Sequence, residues 1–268
     1  MKIGVSGITG KMGQNIATTV LENNIVELSS LLVRSKHNFD NRLLFSINPN
    51  LKPELIQENI AEFVKNCDAV IDFSSPILSL EIAKECAIQQ KILVCGTTGF
   101  NEDEINILQE SAQNTQIIWS ANMSIGINIL LETVSKVARS LYDFDIEILE
   151  MHHNKKIDAP SGTALMIGNK IATARNVSLA ETGKMSRFGN NCKREPGEIG
   201  FATLRGGDVV GDHKIIFAGQ GERLEFSHKA SNRNIFANGA LRAVIWASNK
   251  DAGRLYSMTD VLALGTGE

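Results

Sequence analysis

The stretch Glu150-Met151-His152-His153-Asn154-Lys155-Lys156-Ile157-Asp158-Ala159-Pro160-Ser161-Gly162-Thr163-Ala164-Leu165 carries two imidazoles and two ammonium groups close together, with a glycine-containing turn behind them. Such groups donate or titrate protons near neutrality. Phe144, Ile146 and Ile148 alternate with Asp145, Glu147 and Leu149, the period-two pattern of a half-buried strand, so the imidazoles arrive at a strand's C-terminal end. Beyond them Ala164, Leu165, Gly168, Ile171 and Ala172 recur at helical spacing, with Ser161 as N-cap and Pro160 preventing an earlier start. The N–H groups of Gly162 and Thr163, the Thr163 hydroxyl and the positive helix end favour a carboxylate or phosphate. The chemistry this predicts is acid binding coupled to proton transfer. A competing reading is a solvated loop of His and Lys. A metal site is not read, because H-E-x-x-H and Cys/His ligand spacings are absent and adjacent strand residues point to opposite faces.

The elements that must position this stretch are those of a chain of 268 residues, long enough for one large or two modest domains. A net charge of −3 gives no basic footprint for nucleic acid, so a small molecule or a second copy of the chain is the expected partner. No apolar run approaches membrane-spanning length, and Lys2-Ile3-Gly4-Val5-Ser6 lacks the form of a secretory signal, so a cytoplasmic location is expected. Cys67, Cys86, Cys95 and Cys192 contain no C-x-x-C and read as reduced and mostly buried. Cys95, beside Gly96 at a strand end, is read as structural rather than as a nucleophile.

Residues 2 to 6 read as a strand, followed by Gly7-Ile8-Thr9-Gly10-Lys11-Met12-Gly13 and a helix with Met12, Ile16 and Val20 on its apolar face. Strand, glycine turn and helix in this order make a candidate dinucleotide site, although the spacing is G-x-x-G-x-x-G and not G-x-G-x-x-G. A P-loop does not fit, because Val5 and Met12 occupy positions that need Gly and Ser or Thr. The second strand, Val26 to Val33, ends at Val33-Arg34-Ser35-Lys36. With no carboxylate there to accept from a ribose 2′-hydroxyl, and with Arg34 and Lys36 available for a 2′-phosphate, NADPH is the preferred cofactor, with NADH possible.

Residues 51 to 66 follow helical spacing through Leu55, Ile56, Asn59, Ile60, Phe63 and Val64. Strands are then expected at Ala69 to Phe73, Lys91 to Cys95 and Ile117 to Ser120, with helices opening at Pro76 and at an Asn101/Glu104 capping box. This alternation predicts an α/β fold with a doubly wound parallel sheet, binding ligands at its C-terminal edge, lined by Gly96, Thr97, Thr98 and by Ser120, Ala121, Asn122, Met123. After a helix bearing Ile127, Leu130, Val134, Val137 and Leu141, strands cluster near 144–151, 198–205, 208–218 and 222–228. A second, α+β domain with a mixed or antiparallel sheet is therefore expected. Residues 183 to 197 read as a long mobile loop, and Asn234 to Trp246 as a helix returning to the first domain. The expected division is 1–122 plus 233–268 for dinucleotide binding and 123–232 for substrate binding and oligomerisation.

The glycine turn, Gly96-Thr97-Thr98-Gly99-Phe100 and the run H-H-x-x-K-x-D-A-P-S-G-T-A, in this order, resemble the 4-hydroxy-tetrahydrodipicolinate (dihydrodipicolinate) reductase family over essentially the whole chain. The resemblance implies a Rossmann-like fold and a homotetramer joined through the second domain's sheets. It also implies NAD(P)H-dependent reduction of a cyclic, unsaturated imine dicarboxylate in diaminopimelate and lysine biosynthesis. By matching motif, His152 is the implied proton donor or acceptor and Lys156 a second proton donor. His153 is an implied substrate contact, and Gly162 with Thr163 the carboxylate cradle. Gly7, Ile8, Thr9, Gly10, Lys11, Met12, Gly96–Thr98 and Ser120–Met123 match cofactor contacts, and Arg34 the 2′-phosphate contact. Val33 stands where many members carry an acid, and Met123 where some carry an aromatic residue near the nicotinamide. The implied reaction passes hydride across a domain cleft that closes over the substrate.

Two rivals share part of this pattern. An aspartate-semialdehyde or homoserine type of dehydrogenase shares the first half but lacks the His-rich run. A non-catalytic NADPH sensor keeps the cofactor fold but has no use for His152 and Lys156 beside an anion cradle.

Overall fold

A computed structural model describes residues 1–265. In chain order, the first half supplies β1 (Lys2–Ser6), α1 (Lys11–Leu21), β2 (Glu27–Leu32), α2 (Asn41–Ile47), β3 (Ile56–Gln57), α3 (Ile60–Lys65), β4 (Ala69–Asp72), α4 (Pro76–Gln89), β5 (Ile92–Cys95), α5 (Glu102–Ser111) and β6 (Ile117–Trp119). Then come α6 (Ile125–Ser140), β7 (Asp145–His152), α7 (Gly162–Ala174), α8 (Leu179–Thr182), β8 (Gly183–Lys184), β9 (Ile199–Arg205), β10 (Gly211–Ala218) and β11 (Arg223–Ala230). The chain closes with α9 (Asn234–Ala247), β12 (Leu255–Tyr256) and α10 (Met258–Val261). It divides into two compact units, one of Met1–Ile125 with the stretch from Arg233 onward, the other of Gly126–Asn232.

Unit 1 is a parallel sheet in the order β12-β6-β5-β4-β1-β2-β3. Its strands read as continuous apolar runs because both faces are covered. Ile3, Val5, Ile71 and Val94 pack with Ile16 and Val20 of α1 and Ala240 and Val244 of α9. The alternate positions Val70, Leu93 and Ile117 pack with Phe63 of α3, Ile82 of α4 and Leu108 of α5. The chain crosses from one side of β1 to the other between β3 and β4. That reversal of strand order places a crevice at the C-terminal ends of β1 and β4. The Asn101–Glu104 capping box at α5 forms as the sequence predicts.

The 51–66 region departs from expectation. Pro53–Leu55 is a single 3₁₀ turn, Ile56–Gln57 extends to pair with Leu31–Leu32, and helix begins only at Ile60. Asn59, read as helix interior, is the N-cap, its side chain accepting from Glu62 N at 3.0 Å. A short amide side chain competes with interior helix but suits a cap, worth about 1 kcal/mol. The free edge of β2 also gains a partner. Helix α2, too short to leave a readable periodic pattern, is capped by Asp40 accepting from Arg42 N at 2.9 Å.

Unit 2 is a mixed sheet in the order β11-β10-β7-β9-β8, antiparallel across β10 and parallel between β7, β9 and β8. One face, carrying Ile146, Ile148, Phe201, Ile215 and Phe217, packs against α6 and α7 through Val134, Ala138, Ile167 and Ile171. Side chains alternate along each strand, so Glu147, Leu149 and Met151 take the opposite face. The 183–197 segment is anchored at two points rather than loose throughout. Arg187 pairs with Glu147 at 2.9 Å and Glu198 at 2.9 Å, and Arg194 pairs with Asp145 at 2.9 Å and with Glu147. Arg187 and Arg194, in the segment read as a mobile loop, are counter-charges for the acidic start of β7. Among the described residues no helix is long and apolar enough to cross a membrane.

Candidate active site

The period of β7 puts Glu150 and His152 on the sheet face that also carries Ile146 and Ile148, at the point where the strand leaves the core. Cross-strand register then sets Thr203 and His213 on either side of Glu150, and Arg205 beside His152. Glu150 is 1% exposed and is surrounded by donors. Its Oε2 is 2.5 Å from His152 Nδ1 and 2.9 Å from Arg205 Nη1, and its Oε1 accepts from Ser161 N at 3.0 Å and Arg205 Nη2 at 3.0 Å. Burial pushes its carboxyl pKa up, but Arg205, His152 and the Ser161 N–H together outweigh burial and hold it below the ordinary range. It is thus an anion at working pH.

With Nδ1 on Glu150, His152 has Nε2 left for a ligand. A Cβ at Gly211, in the neighbouring strand, would stand 2.9 Å from that Nε2, so glycine there keeps the nitrogen accessible. His213, packed edge-on to His152 at 5.2 Å between centroids, is pushed down to about 4 chiefly by burial and then by its neighbour's charge. It is therefore neutral, and its Nε2 lies 3.1 Å from Ser161 Oγ. That hydroxyl in turn accepts from Ala164 N at 3.1 Å, the predicted N-cap of α7. Through Ser161, the helix start is bonded directly to the imidazole cluster. Gly162, next along, is exposed, with no atom within 4 Å of where a Cβ would stand, and Thr163 is half-buried.

The loop between strand and helix is pinned at several points. His153 N donates to Val209 O at 2.7 Å, and Arg205 Nη2 donates to Asp158 O at 2.6 Å. The Lys156 ammonium, on a side chain 19% exposed, grips Asp158 at 2.7 and 2.8 Å and holds that carboxyl below its usual range. A substrate carboxylate at Lys156 would share the ammonium with Asp158, a partner the sequence did not reveal.

Unit 1 offers a cavity of about 740 Å³ at the crevice beyond β1 and β4, lined by Gly7, Thr9, Gly10, Arg34, Phe73 and Ser74 among others. The glycines are required there. Gly7 has φ +73°, and a Cβ on it would meet Phe73 O at 2.3 Å; one on Gly13 would meet Gly7 O at 2.3 Å. The turn can pack this tightly between the end of β4 and the start of α1 only because these positions are bare. Ile8 is fully buried and Met123 is 1% exposed. Lys11, Thr98 and Ala121 are exposed, whereas Met12, Gly96 and Ser120 are half-buried. The two later loops are held side by side, with Trp119 Nε1 donating to Thr97 O at 3.0 Å and Ser120 N to Cys95 O at 3.2 Å.

Two features here were missed in the sequence. Buried Asp72 collects the hydroxyls of Ser6, Ser74, Ser79 and Thr97 around one carboxylate, tying together the ends of β1, β4 and β5. Also, the cavity is not free of acid beside Arg34. Glu58, just after β3, lines it and accepts from Lys36 N at 2.8 Å, while Lys36 Nζ turns to Gln57 at 3.4 Å. Arg34 remains exposed on the lining. Cys95 is fully buried and burial pushes its thiol pKa up, which suits the structural reading of it.

Comparison with known proteins covers both units. The family model "Dihydrodipicolinate reductase, N-terminus" matches residues 1–123, and "Dihydrodipicolinate reductase, C-terminus" matches 126–262. The 4-hydroxy-tetrahydrodipicolinate reductase of Bartonella bacilliformis is 45% identical over 98% of this chain and 99% of its own length. That of Roseobacter denitrificans is 42% identical over 100% and 98%. Among solved structures, a dipicolinate-bound dihydrodipicolinate reductase from Paenisporosarcina sp. TG-14 superposes with a TM-score of 0.77 at 25% identity, covering 97% of this chain and 98% of the other. With both halves matched and identity of this order along the whole length, the chain belongs to the dihydrodipicolinate reductase family.

Proposed function

We propose that the chain is an NAD(P)H-dependent 4-hydroxy-tetrahydrodipicolinate reductase, which reduces a cyclic, unsaturated imine dicarboxylate to tetrahydrodipicolinate on the route to diaminopimelate and lysine. The observation that carries this reading is the bonding of an imidazole cluster to a helix start. His152, with Nε2 available, neighbours His213, which is bonded to the N-cap of the helix opened by Gly162 and Thr163. That pairing suits a substrate that is both an acid and a proton acceptor.

The bare glycine turn and its cavity fit a dinucleotide, which when bound supplies hydride. Backbone groups from Gly7 to Met12 would hold its pyrophosphate, and Gly96–Thr98 with Ser120–Met123 its nicotinamide end. Arg34 favours the 2′-phosphate of NADPH; Glu58 opposes it, so the preference for NADPH over NADH is a balance of the two. Gly162, Thr163 and His153 bind the two substrate carboxylates, and Lys156 neutralises one of them and orients the ring. His152 delivers the proton. Units Met1–Ile125 with the C-terminal stretch and Gly126–Asn232 accordingly serve cofactor and substrate, the second also self-association. The sheet face away from α6 and α7 carries Leu149, Met151, Ala202, Leu204 and Ile216 and, among the described residues, has no helix of that unit's core against it, which supports a homotetramer joined there. Four free thiols suit a reducing, cytoplasmic compartment.

Oxidation of NADPH by freshly generated substrate tests the reading. The wild-type protein is expected to turn over, and to bind dipicolinate as an unreactive planar diacid. Lys156→Ala should lower kcat by roughly 10²-fold or more with the fold intact. Tight cofactor binding without turnover would favour the sensor instead.

A further inference from the structure

Glu150 is the common anchor of groups that the proposed reaction uses separately. It holds His152 Nδ1 through Oε2 and the backbone N–H of Ser161 through Oε1, and Arg205 spans both oxygens. Thr203 Oγ1, 3.4 Å from Oε1, completes the ring of donors. The carboxylate is 1% exposed, and Arg205 is fixed in turn by Asp158 O and Leu204 O.

We propose that Glu150 is a positioning residue that fixes the neutral His152 as its Nδ1–H tautomer, stabilises its imidazolium, and couples the placement of His152 Nε2 to the start of the substrate-binding helix. This rests on the reductase reading of the site. In that reaction, hydride adds two electrons at one end of the conjugated imine, and the displaced electron pair at the other end takes a proton. The Nε2–H bond of the imidazolium breaks, its electron pair stays on nitrogen, and the proton joins the substrate. Nδ1–H remains on Glu150 throughout, and solvent restores the Nε2 proton.

The charges facing the His152 ring favour this role. Glu150 on β7 is paired by Arg205 from β9 and so stays ionised, His213 from β10 is neutral, and Lys156 from the loop is compensated by Asp158. His228 lies one strand further out, paired in register with His213. Glu150 is therefore the one carboxylate in contact with the ring among the described residues. Its bond to Ser161 N means that a shift of the imidazole's anchor also shifts the N-cap of α7.

The test combines nitrogen NMR of the His152 ring in the wild-type protein with kinetics of Glu150→Gln. The expected wild-type signal is a neutral ring protonated at Nδ1. In Glu150→Gln, kcat is expected to fall roughly 10²-fold, because the ring loses the carboxylate that orients it. The dissociation constant for NADPH, held by the other unit, is expected to stay within about twofold, a split that general loss of structure would not give. A wild-type ring protonated at Nε2, or a variant with unchanged kcat, overturns the proposal. Should the variant not fold, the wild-type tautomer decides. Absent wild-type turnover would instead defeat the reductase reading, and the tautomer would then test the role of Glu150 by itself.

Discussion

Replacing Gly211 by Ala adds one methyl group to the strand beside His152, and its consequence follows from the distances there. The new Cβ would stand 2.9 Å from His152 Nε2, 3.4 Å from its Cδ2 and 3.7 Å from His213 Cε1. Ordinary carbon–nitrogen contact needs roughly half an ångström more. The imidazole cannot swing freely, because Nδ1 is held by Glu150 at 2.5 Å on its other side. Gly211 does not have a positive φ, so alanine brings no backbone strain, and it even restricts the unfolded chain, worth about 0.5 kcal/mol. Against that stands overpacking of roughly 1–2 kcal/mol, so the melting temperature should drop by only a few degrees. Activity should suffer more. A displacement of this size at a proton donor, with a methyl group shielding its free nitrogen, is expected to lower kcat/KM by roughly 10- to 100-fold. The assay is NADPH oxidation across substrate concentrations, alongside NADPH affinity, which should not change. A Gly211→Ala protein that folds normally and keeps kcat/KM within about twofold would show that Nε2 is not the atom that faces the substrate.

Other outcomes follow from the same geometry. His213 titrates near 6.5 when unfolded but is pushed down to about 4 in the fold, so the unfolded chain binds the extra proton between those values. Stability should therefore fall as pH drops from about 6.5 to 4, by up to about 3 kcal/mol, and level off below that; denaturant melts across this range should show the slope, and His213→Gln should remove it. Arg34→Ala should raise KM for NADPH by roughly tenfold or more and leave KM for NADH nearly unchanged. Glu58→Gln keeps an acceptor for Lys36 N but removes the charge, so the ratio of kcat/KM for NADPH over NADH should rise several-fold; an unchanged ratio would remove Glu58 from cofactor choice.

How much of this was legible in the chain depends on whether the signal was local. The glycine turn, the apolar strands of unit 1 and the N-cap at Ser161 are set by neighbours in sequence, and they form as read. The His-rich run was legible as chemistry, because its residue types are costly to place together without use. What fixes it was not. Glu150 shares a strand face with His152, so a period of two could have marked it. Arg205 and His213 reach the site only through the register of β9 and β10, which no local pattern encodes. The same holds for Glu58. The end of β2 held no acid, and the carboxylate comes from the residue just after β3, in a segment whose apolar spacing imitated a helix until Asn59 capped it. Asp72 read as one residue of a buried strand, and its four hydroxyl partners come from the ends of three strands and from α4.

If one unit binds a diacid and protonates it while the other holds the reduced cofactor, bound NADPH must be oxidised at a rate that depends on His152. Single-turnover oxidation by freshly generated substrate, comparing the wild-type protein with His152→Ala, reads that dependence without interference from product release. Wild-type oxidation at roughly 1–10³ per second is expected, with the variant slower by about 10²- to 10⁴-fold and still binding dipicolinate and NADPH. Equal rates in the two proteins, or no oxidation by the wild type with both ligands bound, would rule the arrangement out.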